Sequence, residues 1–169
     1  MKEYLLHHET LKSNKTLALF AGLTVLFLLL LILRATAVRL DGLAITFLVF
    51  SFVFLFYTVN YRTLIIRITP DTLKLKFGIF TWTVAMDNIQ TCTPDDDLPA
   101  LNKYGGAGIH FIFVNGRYRA SWNFLEYSRL VIAFRKKVGP VVDLSFSTRQ
   151  PGEIQTILQK AITGFQMPG

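Results

Sequence analysis

The chain has 169 residues, with 18 Lys and Arg against 11 Asp and Glu, a formal charge of +7 and a hydrophobic fraction of 51%. Its one cysteine, Cys92, excludes an intrachain disulfide and a zinc site built from several cysteines. A basic balance suits nucleic acid or an anionic membrane surface, but no nucleic-acid recognition motif accompanies the basic segments, so lipid and acidic partners remain.

The N-terminal segment carries His7-His8 near Glu3 and Glu9, which reads as a solvent-wetted pair beside a membrane and not as a metal site. Two apolar runs follow, Leu17 to Leu33 and Leu43 to Val59, and no Asp, Glu, Lys, Arg or His interrupts either. Each run would rise about 25 Å as a helix, at the short end of what a hydrocarbon core requires. Without an internal charge, neither offers an ion pathway or proton relay, so the pair reads as an anchor. Ala35-Thr36-Ala37 has the small-x-small look of a signal-peptide cleavage site, yet the long apolar run, Arg34 and the second span argue for retention of the first helix. Lys2, Lys12 and Lys15 precede the first span and Arg62, Arg67, Lys74 and Lys76 follow the second, against Arg34 and Arg39 in the turn. The positive-inside rule then places both termini in the cytoplasm.

Composition shifts near Asn60, so the chain divides into an anchor over residues 1–61 and one soluble domain over 62–169. From Thr63 the period becomes two, the signature of strands. Leu64, Ile66 and Ile68 form one inward row; Thr69-Pro70-Asp71 turns the chain; Leu73, Leu75 and Phe77 form the next row, with Lys74 and Lys76 facing water. Phe80, Trp82, Val84 and Met86 continue a third strand, and Ile89 opens a short fourth. Thr93 to Asn102, with Asp95-Asp96-Asp97, reads as a solvated acidic loop lacking the spacing of a calcium site.

Gly105-Gly106-Ala107-Gly108 lacks both phosphate-binding glycine patterns and marks a bulge or close backbone approach. The bulky residues from Ile109 to Val114 suggest a strand covered on both sides, and Asn115-Gly116 is a strong hairpin signal leading to a strand from Arg117 toward Trp122. Strands over Leu130 to Arg135 and Val141 to Ser147 come next. Ile154, Ile157, Leu158, Ala161 and Ile162 then form a helical stripe after Pro151, with Gly164 as a stop. His110, inside a strand pattern with no triad partner, reads as a packing residue.

The expected architecture is thus α+β: a two-helix transmembrane hairpin, then a bent sheet or partly open barrel of about seven strands with a C-terminal capping helix. The segments LIIRITPDTLKLKFGIFTWTVAMDNIQ, YGGAGI and VVDLSFSTRQPGEIQTILQKAI resemble the bacterial pleckstrin-homology-like (PH-like) domain family of small membrane proteins. The resemblance implies a PH-like fold behind two membrane helices, at the bacterial inner (plasma) membrane, and brings no catalytic residue set. No cofactor, metal, nucleic acid or small-molecule substrate is expected, and the chain is not expected to be an enzyme. The candidate contacts for anionic lipid or an acidic partner are Lys74, Lys76, Arg117, Arg119, Arg135, Lys136 and Lys137. They describe a binding or scaffolding module at the cytoplasmic membrane surface, or alternatively an accessory or regulatory subunit of a larger membrane complex or a homo-oligomer.

Overall fold

The computed structural model describes residues 4–37, 41–95 and 107–164. Strand β1 (His7–Lys12) comes first, followed by helices α1 (Asn14–Ala37) and α2 (Gly42–Asn60). Strands β2 (Thr63–Ile68), β3 (Thr72–Phe77) and β4 (Phe80–Ala85) then lead through a 3-10 turn at Met86–Asn88 to β5 (Ile89–Pro94). The hairpin of β6 (Gly108–Val114) and β7 (Arg117–Asn123) precedes that of β8 (Ser128–Val138) and β9 (Val141–Thr148), and helix α3 (Pro151–Gly164) ends the described chain.

Helices α1 and α2 form from almost wholly apolar runs whose few hydroxyls bond carbonyls one turn back, as Thr24 does to Phe20 and Ser51 to Phe47, and both carry caps. Ser13 Oγ accepts from Thr16 N–H at 3.0 Å, and Asp41 accepts from Ala44 N–H at 3.0 Å while pairing with Arg34 near the end of α1. Both helices are long and apolar enough to cross a bilayer. They face one another through rings: Phe27 lies against Phe47, Phe50 and Phe54, and Phe20 against Phe54, Tyr57 and Tyr61. Phe52 and Phe56 point outward.

Strands β1 to β4 form an antiparallel sheet in chain order. Its inner rows are the expected ones: Leu64, Ile66, Ile68, Leu73, Leu75 and Phe77 are all fully buried. Strand β1 is absent from the sequence reading, and it pairs with β2 across the anchor segment. Lys12 stands opposite Thr63 and His7 opposite Ile68, so the helical hairpin occupies the place of the turn in a β1–β2 hairpin. Residues 7–12 therefore belong to the β unit.

The second sheet has the order β5-β8-β9-β7-β6, antiparallel except for the parallel pair β7 and β9. Nine strands among the described residues replace the seven or so expected. Asn115 and Gly116, at φ of 51° and 75°, form the two-residue turn, with Val114 opposite Arg117. Strand β6 is not covered on both sides, because Phe111 and Phe113 are exposed. Helix α3 buries Ile154 and Leu158 in the shared core and bridges the two sheets at the edge strands β1 and β5, through Glu153 to His7 and Gln155 to the Cys92 carbonyl. Burial pushes the Cys92 thiol up to about 12, so it is an inert core group.

The helices and the sheets meet at one end of the strands. Phe20 and Tyr61 belong to the core cluster, Asn60 Oδ1 accepts from Ile79 N–H at 3.3 Å, and Phe56 meets the Phe80 ring. Gly78 (φ +53) makes the approach of Asn60 to this turn possible, since a Cβ there would lie 2.5 Å from Asn60 Oδ1. A Cβ on Gly108 (φ +89) would strike the Tyr61 ring at 2.7 Å, the close approach that its glycine-rich setting suggested. Gly105 and Gly106 lie outside the described residues.

Candidate functional site

The register separates the seven candidate residues into three places. Lys74 and Lys76 project from the outer face of the four-stranded sheet, where Lys74 is opposite Arg67 and Lys76 opposite Ile65 and Thr81. Arg67, Lys74 and Lys76 are exposed and line a shallow cleft of 190 Å³ with Ile65 and Thr81. None of the three has an ion-pair partner among the described residues.

Arg117, Arg135 and Lys137 meet elsewhere. With Gln90, Phe113, Tyr118, Phe134 and Pro140 they line a cleft of 710 Å³. This cleft lies at the strand ends remote from the helices: β6 and β7 run about 20 Å between the Tyr61 contact at Gly108 and the turn at Asn115-Gly116. Arg117 is already committed, its Nε and Nη2 donating to the two oxygens of Asp143 at 2.8 and 2.7 Å, a bidentate pair that holds its guanidinium firmly charged. Lys136 is exposed nearby, its main chain exchanging hydrogen bonds with the Asn88 side chain, which fixes the basic end of β8, a strand that runs on to Val138, against the 3-10 turn.

Arg119 departs from its assignment. It is 7% exposed, and its Nη1 donates to Asp95 at 2.8 Å. Asp95, in turn, is 8% exposed and accepts from Ser145 Oγ at 3.0 Å. Thus Arg119 offers nothing to a lipid or a partner, and Asp95 is not part of a solvated loop; Asp96 and Asp97 lie outside the described residues. Thr93 and Pro94 likewise belong to β5 and not to a loop. The physical reason is one polar face of the five-stranded sheet: period-two pointing puts Arg119, Ser121 and Asn123 of β7 beside Asp143, Ser145 and Ser147 of β9, all buried.

His110 stands opposite Ser121 on this face, but the Ser121 hydroxyl accepts from Asn123, and His110 Nδ1 is buried without a hydrogen bond among the described residues. Burial, reinforced by the charge of Arg129, holds His110 below its ordinary imidazole range. Burial likewise draws the Arg129 guanidinium down, with Asp95 opposing. Among the described residues of this face, no nucleophile, base and orienting acid come together. Among the described residues no group of three or more metal-ligating side chains gathers either.

His7 is also a correction. It is 6% exposed, its Nδ1 lies 2.9 Å from Glu153 Oε1, and only His8 faces water. Glu9, equally buried, accepts from Thr148 Oγ1 at 2.6 Å and Arg149 N–H at 3.0 Å. These polar residues on the inward row of β1 are what hid the strand from a hydrophobic alternation. Comparison with family models, characterised proteins and solved structures returned no match, so the PH-like resemblance rests on the quoted segments alone.

Proposed function

We propose that this protein is a membrane-anchored binding module, with no catalytic role, that holds a β unit at the cytoplasmic face and displays a cationic, aromatic-lined cleft to an acidic partner. One observation carries the reading: an apolar helical hairpin stands where a β-turn would, fixing one end of the strands, while the large cleft opens at the other. A partner that reaches the remote cleft comes from the aqueous side. There Lys137 and Arg135 supply charge and steering, and Phe113, 71% exposed, supplies the apolar anchor. The PH-like assignment is kept as a resemblance in strand-rich sequence capped by a helix.

A photo-crosslinking residue at Phe113, in the full chain in native membranes, tests this. The expected result is a discrete adduct that disappears when Arg135, Lys136 and Lys137 are changed to Glu. Adducts unchanged by that reversal, or a Lys137→Cys variant labelled from outside intact cells by an impermeant maleimide, would defeat the reading. The accessory-subunit alternative predicts a strong adduct from the same residue placed at the outward-facing Phe52.

A further inference from the structure

We infer that the helix-proximal rim of the four-stranded sheet docks on anionic phospholipid headgroups, with the β3–β4 turn as an apolar wedge and Lys12, Lys15, Arg62 and Lys76 as the headgroup contacts. This rests on the membrane-anchored reading above. Three observations converge. First, Ile79 is 71% and Phe80 38% exposed, an unusual outlay for a tight turn in water. The turn is tied to the end of α2, by Asn60 to Ile79 and by Phe56 to Phe80, so its depth is set by the helix. Phe56 precedes Asn60 by one turn, which puts Phe80 within about 6 Å of the apolar interior if α2 spans.

Second, the cations at this rim are exposed and without ion-pair partners among the described residues. Lys12 ends β1 opposite Thr63, Lys15 opens α1, Arg62 joins α2 to β2, and Lys76 lies opposite Ile65, about 7 Å along the strand from Thr63. That height is within the headgroup layer and one Debye length of it. Third, the outer face above the rim carries no carboxylate. Its alternate residues are His8, Thr10 and Lys12 on β1, Thr63, Ile65 and Arg67 on β2, Lys74 and Lys76 on β3, and Thr81, Thr83 and Ala85 on β4.

Arg67 directly opposite Lys74 is a like-charge cross-strand pair, which is unfavourable unless an anion lies nearby. Of the other acids, Glu9 points into the protein and Asp71 and Asp87 lie at the remote end, while Glu126, half-buried in the β7–β8 turn of the other sheet, is on the helix-proximal side, where the Tyr127 hydroxyl donates to the Lys12 carbonyl. An unbalanced cationic face joined to an apolar tip at the depth of a helix end matches an anionic bilayer surface. It does not match a soluble acidic protein, which would leave Ile79 and Phe80 without cover.

The experiment uses the full chain in vesicles of phosphatidylcholine with phosphatidylglycerol, with Cys92 changed to Ser and one nitroxide at position 52, 79 or 137. The label at 79 is expected to be shielded from a water-soluble nickel relaxant and open to oxygen, while the label at 137 behaves oppositely. Spin-labelled phosphatidylglycerol is expected to be retained over its choline analogue, and Lys12→Gln with Lys76→Gln to lower that preference by up to about fivefold per charge. A label at 79 as nickel-accessible as that at 137, or a preference unmoved by the substitutions, overturns the inference. Loss of the preference on adding inorganic phosphate at constant ionic strength also overturns it, in favour of a free-anion site. A nickel-accessible label at 52 would instead defeat the anchored reading on which it rests.

Discussion

At the scale of single residues, the two arginines two positions apart on β7 are the sharpest contrast. Arg117 is half exposed and Arg119 nearly sealed, yet their sequence context, Arg-Tyr-Arg, treats them alike. What separates them is depth on the polar face, where Asp95, the residue that follows β5, meets Arg119 across the sheet. Removing one partner of a sealed pair leaves a charge without compensation, so Arg119→Leu is expected to cost about 3–5 kcal/mol. Chemical denaturation in detergent should register this as a lower midpoint, with Asp95→Asn milder because the amide still accepts from Ser145. An unchanged midpoint in Arg119→Leu would mean that Asp95 finds another cation.

His110 gives a second test at this scale. Its folded pKa lies below the ordinary 6.5, so the unfolded chain takes up the proton first as pH falls. The stability associated with neutral His110 is therefore complete above about pH 6.5 and lost as pH drops from there through the lowered folded value. Thermal midpoints between pH 8 and 5 should fall more steeply in the parent than in His110→Phe. Parallel profiles would remove His110 as the cause.

At the scale of elements, legibility followed the chemistry of the buried row. Strands β2 and β3 could be read because their inward residues are Leu, Ile and Phe, and the β6–β7 turn because Asn-Gly admits the required positive φ. Helix α3 could be read from its single apolar stripe, and the anchor helices from uninterrupted runs. Strand β1 was hidden because its inward residues are His7, Glu9 and Leu11, two of them polar and paired with Glu153, Thr148 and Arg149 about 140 residues away. The Asp95–Arg119 pair was hidden for the same reason, and the basic groups of Lys74 and Arg135 looked like one surface until the register put them on different sheets.

Since Lys12 and Thr63 are the closing pair of an antiparallel ladder, a chain in which residues 13–62 are replaced by Asn-Gly should fold in water. Residues 63–164 alone should not, because the β2 edge loses Leu11 and the hydrogen bonds of Glu9. Dispersed amide resonances for the joined chain and aggregation of the shorter one are the expected results. Loss of Tyr61 from the core will lower the stability of the joined chain relative to the parent. A well-folded 63–164 fragment would show that β1 is dispensable.

At the scale of the whole molecule, the two cationic regions are separated by the length of the strands, and that separation is itself testable. Sites this far apart with no shared side chains should act additively. Lys12→Gln with Lys76→Gln is expected to lower the preference for phosphatidylglycerol and leave crosslinking from Phe113 intact. Changing Arg135, Lys136 and Lys137 to Ala should do the reverse, because charge held about 20 Å from the helix ends is beyond two Debye lengths at physiological salt. Raising the salt should weaken the lipid preference in the parent and have little further effect once the rim charges are gone. If the triple Ala variant lowered the lipid preference as much as the rim variant, both ends of the strands would have to reach the bilayer. The β unit would then lie along the membrane instead of standing on its hairpin, and the remote cleft would lose the open water that makes it a place for a partner.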